Sequence, residues 1–306
     1  MIIAVDHGNK QMKTATRVFT SGLLESEVRP PFGEDIIEYL GKYYALSEKR
    51  MSYMRDKTED NRFFILTLFA IAYEIEAANV YTKEKVTDVT LIMGLPPAHF
   101  GALYNQFEKY FTRKGEVVSF IFRGRSFSIR ITSAITYPQA YAAAMPIYAT
   151  LAGLPKVTVI DIGGFTADYL QINKGKPDLA MCDSLEYGVI RLYSTIQSKV
   201  NSAMAIRLDE SEIDAILLGA EEETDMKIRQ LVVQTAQAFV NEFLGLLGER
   251  MIELKSGKAI FVGGGSVLLR KQIEASQKVA KTMFIEDIAA NVKGYEILYA
   301  ASQIEQ

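Results

Sequence analysis

Short apolar runs that end in polar, glycine-containing turns predict buried β-strands along the chain. Residues 1–5 form one such run and residues 157–160 form another, and both consist of apolar or β-branched residues. Strands at the centre of a sheet have this pattern because both of their faces are buried. The second run turns on Gly163 and Gly164 and resumes over residues 165–172, which predicts a β-hairpin with a glycine turn.

Longer segments with apolar residues at helical spacing predict α-helices between these strands. The predicted helices are 63–79, 98–111, 141–151, 189–200, 209–218, 225–254 and 267–277, with a further helix at the end of the chain. Asp209 and Glu212 have the spacing of a capping box, and Gly257 is expected to close the longest helix. The pattern predicts an α/β protein. Because 306 residues exceed the usual size of one hydrophobic core, we expect two domains.

Two carboxylates occupy matching places at the ends of the first and second apolar runs. Asp6-x-Gly8 follows the first run, and Asp161-x-Gly163 follows the second, 155 positions later and about half of the chain away. Glycine lets backbone N–H groups approach an anion closely, and carboxylates can hold the water shell of Mg²⁺. Either loop alone would be explained by a tight hairpin with solvated acids. The pair predicts a duplicated domain in which two phosphate-binding loops face each other across a cleft.

A third glycine turn, residues 263–266, follows the predicted strand 258–262 and opens a helix. Such a turn lets a nucleotide lie flat against the backbone near the positive end of the helix. The signal is weak by itself, because strand-to-helix glycine turns occur in many α/β proteins. The turn is not a G-x-G-x-x-G fingerprint, so a dinucleotide-binding domain is disfavoured.

Composition narrows the classes of function. The net charge of −3 argues against direct DNA binding through a basic face. Cys182 is the only cysteine and the sequence has two histidines, which excludes an intrachain disulfide and leaves no plausible zinc cluster. The first residues lack the pattern of a secretory signal, and the longest apolar run, 63–73, is too short to span a bilayer. We therefore expect a soluble cytoplasmic protein without membrane contacts.

Four segments of the chain resemble, in type and order, the motifs of the actin superfamily. They are Asp6-x-Gly8 with Lys13, Pro138-Gln139-Ala140, Asp161-x-Gly163-Gly164-x-Thr166 with Asp168, and Gly263-Gly264-Gly265. They correspond to the phosphate-1, connect-1, phosphate-2 and adenosine motifs of that superfamily. The details of the two loops, with the segment 291–295, are similar to the bacterial actin-like proteins of the plasmid-partitioning ParM group.

The resemblance implies an actin-like fold, in which two ribonuclease-H-like domains surround a central nucleotide cleft and each carries a smaller peripheral subdomain. Domain I would span residues 1–138, with its peripheral part at about 33–62. Domain II would span residues 139–294, with its peripheral part at about 190–256. The C-terminal helix, 295–306, would pack back on domain I.

The resemblance also implies that ATP or GTP binds with Mg²⁺. The residues that it assigns to the nucleotide are Asp6, Gly8, Asn9, Lys13, Gly163, Gly164, Thr166, Gly188, Gly264 and Gly265. Asp6 and Asp161 would hold the water shell of the metal ion, and Lys13 would neutralise the phosphates. The glycines would bring backbone close to the phosphates and the nucleoside.

Gln139, Asp161 and Asp168 are the catalytic residues that the resemblance implies. Gln139 would orient the attacking water, and Asp168 would assist through the same water. Because a neutral amide is a poor general base, slow basal hydrolysis would follow. Without the flanking motifs, Gln139 is explained as a polar residue near a helix start and Lys13 as a solvated strand lysine. His7 departs from the pattern of many relatives, which have a small or acidic residue there.

The function implied by the ParM resemblance is a self-assembling filament that turns over on nucleotide hydrolysis. Such a filament segregates plasmid DNA through a DNA-binding adaptor protein of ParR type, so that DNA is contacted only indirectly. Two alternatives share the fold: a small-molecule kinase and a chaperone-type ATPase. The kinase is disfavoured because such kinases usually carry an aspartate base near connect-1, and no acid lies between Ile131 and Val159.

Overall fold

The computed structural model describes residues 1–82, 85–151, 153–219 and 224–304. The chain divides into two compact units. The first unit comprises Met1–Pro146 and Asn291–Gln306, and the second comprises Ile147–Ala290. The division therefore falls eight residues after the boundary of 138/139 expected from the sequence, and the segment 291–294 joins the first unit rather than the second.

Fourteen strands and ten α-helices are formed by the described residues. The strands are β1 (Ile2–His7), β2 (Gln11–Lys13), β3 (Val18–Thr20), β4 (Leu23–Ser26), β5 (Ile36–Tyr39), β6 (Lys42–Leu46), β7 (Thr87–Leu95), β8 (Val117–Phe122), β9 (Arg125–Pro138), β10 (Lys156–Ile162), β11 (Ala167–Asn173), β12 (Lys176–Leu185), β13 (Lys258–Val262) and β14 (Thr282–Phe284). The helices are α1 (Arg62–Ala77), α2 (Pro97–Thr112), α3 (Tyr141–Ala144), α4 (Tyr148–Leu151), α5 (Val189–Met204), α6 (Glu210–Leu218), α7 (Met226–Glu249), α8 (Gly264–Leu268), α9 (Arg270–Ala275) and α10 (Ala290–Ile304).

Each unit is built on the same five-strand arrangement. In the first unit the order β3-β2-β1-β7-β9 has antiparallel neighbours from β3 to β1 and parallel neighbours from β1 to β9. In the second unit the order β12-β11-β10-β13-β14 repeats these directions. The predicted α/β fold with two similarly built halves is confirmed.

The first sheet continues beyond this shared arrangement through β8, β5, β6 and β4 to nine strands. The predicted peripheral segment 33–62 thus contributes strands to the main sheet, through the pairing of β5 with β8. Helix α1 is buried at every residue from Phe63 to Ile75, which explains why its sequence is apolar on all sides. In the second unit, α5, α6 and α7 pack with the sheet around large buried side chains such as Tyr193, Phe243 and Phe261.

Three predicted helices differ from the observed ones. The predicted helix 141–151 is broken into α3, a 3₁₀ turn at Met145–Ile147 and α4, because Pro146 cannot donate a helical hydrogen bond. The predicted helix 225–254 ends at Glu249, and Met251 follows with a left-handed φ of 63°. The predicted helix 267–277 is replaced by the two short helices α8 and α9. The capping box of Asp209 and Glu212 is confirmed.

Candidate functional site

The two matched loops lie at the carboxyl ends of β1 and β10, the central strand of each shared arrangement. Each loop joins an antiparallel pair, and the register is the same in both. Asp6 lies opposite Lys13 in the first hairpin, and Asp161 lies opposite Asp168 in the second. Directly opposed residues point to the same face of a sheet, so each pair forms one chemical unit. We call the two turns loop 1 (residues 8–10) and loop 2 (residues 163–166).

Asp6 is the centre of a polar network in the first unit. Its carboxylate is buried, and Oδ2 lies 3.2 Å from Nζ of Lys13. Oδ1 accepts a hydrogen bond of 2.8 Å from Nε2 of Gln139, which is distant in sequence. A buried carboxylate needs such partners, because an unpaired buried charge is strongly unfavourable. Three predicted site residues are therefore brought together by direct contacts.

Loop 1 is held in place by hydrogen bonds from Ser21 and Met54. Ser21 Oγ donates to the carbonyl of Gly8 at 2.5 Å, and Ser21 N donates to the carbonyl of Lys10 at 3.0 Å. The Met54 amide donates to Oδ1 of Asn9 at 3.4 Å. A side chain at Gly8 would meet the Gln11 carbonyl, with Cβ only 2.4 Å from the oxygen, so the tight turn requires glycine. Ser21 was not predicted as a site residue, and it has no motif that would identify it.

Gln139 follows the last residue of β9 and is buried. Its backbone N–H donates a hydrogen bond of 2.8 Å to the carbonyl of Leu95, at the end of β7. The next residue, Ala140, has φ 61° and ψ −51°, and the amide of Tyr141 donates back to the Gln139 carbonyl at 2.6 Å. This is a γ-turn with a left-handed central residue, which is rare and strained for alanine. The strained residue thus directly follows the glutamine predicted to orient water.

His7 points into the core of the first unit and not into loop 1. Its ring centroid lies 4.7 Å from that of Phe111 and 5.6 Å from that of Phe107. Nε2 is 2.8 Å from Oγ1 of Thr67. Burial lowers the pKa of His7 well below its ordinary value, and the positive charge of Lys57 lowers it further. His7 is therefore a neutral core residue.

The second hairpin places two acids where the first has an acid and a lysine. Asp161 and Asp168 are both buried. Loop 2 between them is closed by a hydrogen bond of 2.8 Å from the Gly163 amide to the Thr166 carbonyl. The glycine turn predicted from the sequence is confirmed, and the two carboxylates lie on one face at its mouth.

Helix α5 begins against the carbonyl groups of loop 2. The amides of Gly188, Val189 and Ile190 donate to the carbonyls of Phe165, Gly163 and Gly164 at 2.8, 3.1 and 2.9 Å. A Cβ on Gly188 would lie 2.5 Å from the Gly164 oxygen and 2.5 Å from the Phe165 carbonyl carbon. Only glycine fits at this contact. Gly188 therefore allows the start of α5 to pack directly against the carbonyl groups of loop 2.

The glycine turn after β13 passes over the end of β10. Gly263 has φ 84°, and a Cβ there would lie 2.2 Å from Oδ1 of Asp161. A Cβ on Gly265 would lie 2.6 Å from Cγ2 of Ile162, so Gly265 is required for packing. Gly264 is exposed, and a Cβ there would meet nothing within 4 Å. Of the two glycines predicted to contact the nucleoside, only Gly264 has an open side.

The donor set fits a hydrated magnesium ion better than a fully protein-bound metal. Among the described residues there is no group of three or more His, Cys, Asp or Glu side chains that could hold a metal ion. Mg²⁺ usually keeps several waters and binds through one or two carboxylates. Both oxygens of Asp6 already accept hydrogen bonds from Lys13 and Gln139. Asp161 and Asp168, both buried and on one face at the mouth of loop 2, are two further carboxylates that could hold the water shell of such an ion.

Two family models match the chain, one in each half. Residues 4–141 match the family described as "Actin like proteins N terminal domain". Residues 159–275 match the family described as "Archaeal actin homologue MreB-like, C-terminal". Each half of the chain thus matches a family of actin-like proteins. No curated protein sequence matches it significantly.

Solved structures of actin-like proteins are similar to this chain over its whole length. An archaeal actin homologue, Ta0583, has 18% identity and a TM-score of 0.77, covering 98% of this chain and 99% of its own. The same homologue in complex with ADP has 17% identity and a TM-score of 0.72, with coverage of 98% and 99%. A ParM from a 15-stranded filament of Clostridium botulinum has 18% identity and a TM-score of 0.74, covering 99% of each chain. The predicted likeness to ParM is confirmed at the level of the fold.

None of the helices in the described ranges combines the length and the apolar character needed to cross a bilayer.

Proposed function

We propose that this actin-superfamily protein binds and hydrolyses ATP or GTP with Mg²⁺ and assembles into filaments with copies of itself. The observation that carries the proposal is the pair of hairpins in identical register, Asp6 with Lys13 and Asp161 with Asp168. One hairpin presents a cation for phosphate and the other presents carboxylates for a hydrated metal ion. The hydrogen bond between Gln139 and Asp6 joins the predicted water-orienting residue to the first hairpin.

The roles follow from the chemistry of these residues. Lys13 neutralises phosphate charge, and the backbone of loop 1 and loop 2 donates N–H groups to phosphate oxygens. Mg²⁺ bound with the nucleotide would offset the remaining negative charge on the phosphates. Asp161 and Asp168 hold water at the mouth of loop 2. Gln139 orients the attacking water through its amide, which is too weak a base to deprotonate it, so basal hydrolysis is slow.

We further propose that the filament acts in plasmid DNA segregation in the cytoplasm, through a DNA-binding adaptor of ParR type. The similarity to a ParM that forms a 15-stranded filament supports self-association as the starting point. The net charge of −3 supports an indirect attachment to DNA, because direct phosphate contacts need a basic surface.

Right-angle light scattering of the purified protein with Mg²⁺ tests this function, with ATP and GTP added in separate runs and phosphate release followed in parallel. We expect scattering to rise only above a critical concentration and to decay as phosphate is released. Gln139→Ala should slow phosphate release and therefore increase the time for which the polymer persists. Hydrolysis without any change in scattering over a wide concentration range would remove the filament function and favour the kinase or chaperone-type alternatives.

A further inference from the structure

Strand β9 extends beyond its neighbour β8. The last residues that pair between them are Val117 and Arg130, whereas β9 continues beside β7 to Pro138. Backbone groups of successive strand residues point to alternate sides. The backbone N–H of Gln139 donates to the carbonyl of Leu95 in β7. Thr136 precedes Gln139 by three residues, an odd number, so its backbone N–H points to the opposite side of β9, where β8 has ended.

At this point a side chain of α2, and not β8, accepts the hydrogen bond from the backbone of β9. Oε1 of Glu108 accepts a hydrogen bond of 2.8 Å from the Thr136 amide. Pro138 has no N–H, so Thr136 supplies the last amide on that side of β9 before Gln139. A carboxylate that accepts from a backbone N–H makes a stronger hydrogen bond than a neutral acceptor does. Glu108 is half-buried and lies in the C-terminal half of α2, which packs against β9.

We propose that Glu108 is a positioning residue for Gln139, acting through the end of β9. The proposal rests on the function proposed above, in which Gln139 orients the attacking water. Leu95 fixes the backbone of Gln139 on one side of β9, and Glu108 fixes the strand on the other side three residues earlier. The strained γ-turn at Ala140 needs such support, because strained backbone persists only where its surroundings hold it. Without Glu108 the strand end shifts, and Nε2 of Gln139 loses its defined contact with Asp6.

Steady-state hydrolysis by Glu108→Ala and Glu108→Gln tests the proposal. Small displacements of an orienting group slow a reaction strongly, so we expect Glu108→Ala to lower kcat about 10- to 100-fold while KM stays within about twofold. Glu108→Gln keeps an oxygen acceptor and should retain kcat within about threefold of the wild type. A wild-type kcat in Glu108→Ala would overturn the proposal.

A double-mutant cycle separates positioning from a general effect on the fold. In a Gln139→Ala background, Glu108→Ala should lower kcat by less than about twofold, because the residue that it positions is already gone. The same loss in both backgrounds would overturn the proposal. Glu212→Ala is the matched control, since Glu212 also accepts a backbone amide, that of Asp209 at 2.7 Å, but in the capping box of α6. It should leave kcat and KM unchanged.

Hydrogen exchange supplies a readout that does not depend on hydrolysis. In the nucleotide-free protein, Glu108→Ala should speed exchange of the Thr136 and Gln139 amides at least about tenfold, while Glu108→Gln and Glu212→Ala should not. Unchanged exchange in Glu108→Ala would overturn the inference even if the wild type proves to be an active nucleotidase. If the wild type hydrolyses no nucleotide but exchange responds as expected, the proposed function fails while the structural link between Glu108 and Gln139 stands.

Discussion

The hairpins of the two units share a backbone and differ in charge. In the first, Asp6 is opposite Lys13 and forms a partly buried ion pair of 3.2 Å with it. In the second, Asp161 is opposite Asp168, and two carboxylates occupy one face. Opposite charges across an antiparallel pair stabilise a sheet, and like charges destabilise it. The first hairpin therefore pairs opposite charges across its two strands, whereas the second places two acids opposite each other.

The proposed function gives the two hairpins different tasks. A loop closed by an ion pair keeps a lysine in place for an anion. In the proposed function, the two acids at the same positions of the second hairpin hold the water shell of a metal ion instead. Substitutions in the two hairpins and at the residues that contact them test these differences.

The largest effect is expected at Lys13. Lys13→Met leaves Asp6 buried without its ion-pair partner, which should lower the free energy of unfolding by about 3–5 kcal/mol. Urea unfolding of the nucleotide-free protein measures this. The control is Lys42→Met, which removes an exposed ion pair with Glu25 and should change stability little. Equal losses for both variants would show that the pair in the first hairpin has no special importance.

Asp161→Asn should have opposite effects on activity and stability. We expect kcat for phosphate release to fall about 10²- to 10³-fold, because a group that stabilises the metal and its water is lost. Thermal unfolding without nucleotide should occur at a higher temperature, because repulsion with Asp168 is relieved. Asp183→Asn on the neighbouring strand β12 is the control and should keep wild-type kcat. The second hairpin has no role in hydrolysis if Asp161→Asn is as active as this control.

Two glycine variants compare a glycine packed against the backbone of loop 2, Gly188, with a glycine that has open space beside it, Gly264. Gly188→Ala should lower the free energy of unfolding by about 1–3 kcal/mol, because its Cβ would collide with the backbone of loop 2. Gly264→Ala should change stability by less than about 0.5 kcal/mol, since its Cβ meets nothing. Nucleotide titration should nevertheless show weaker binding by Gly264→Ala, where we propose that the nucleoside lies. Unchanged affinity would place the nucleoside elsewhere.

A pH effect is expected at His7, which follows Asp6 in the first hairpin as Ile162 follows Asp161 in the second. The pKa of His7 is lowered by burial, so the unfolded state binds a proton before the folded state does. The stability of the folded state should fall as the pH drops below about 6.5, by at most about 1.4 kcal/mol per pH unit. Chemical unfolding between pH 7 and pH 5 measures this, and His7→Ile should reduce the slope. The same slope in the variant would assign the pH dependence to other groups.

Much of the fold could be predicted because its signals are local. The hairpin around Gly163 and Gly164 follows from an apolar run, a glycine pair and a second run, and its register places Asp161 opposite Asp168. The capping box at Asp209 is likewise set by four successive residues. Where local signals compete, prediction failed, as in the apolar segment 141–151, where Pro146 interrupts an otherwise helical pattern.

The remaining parts of the site depend on contacts between residues far apart in sequence. The hydrogen bond from Gln139 to Asp6 spans 133 positions, and that from Thr136 to Glu108 spans 28. Ser21 and Glu108 are ordinary residues in their own segments, so no pattern identifies them before the strands are placed. The strain at Ala140 is also invisible in the sequence, since alanine gives no indication of a positive φ.

The contact between α5 and loop 2 determines the direction of the peptide dipoles in that loop. The carbonyls of Gly163, Gly164 and Phe165 point at the first amides of α5. In a trans peptide the N–H points opposite to the carbonyl, so the amides that follow, on residues 164–166, are directed away from the helix. The positive end of the α5 macrodipole therefore faces the carbonyl oxygens of these peptides and not an anion. Their dipoles are aligned with that of the helix and are polarised by it. The peptide dipoles of loop 2 thus continue the direction of the α5 macrodipole. In the proposed function, the strength with which loop 2 binds phosphate therefore depends on a helix that need not touch the ligand.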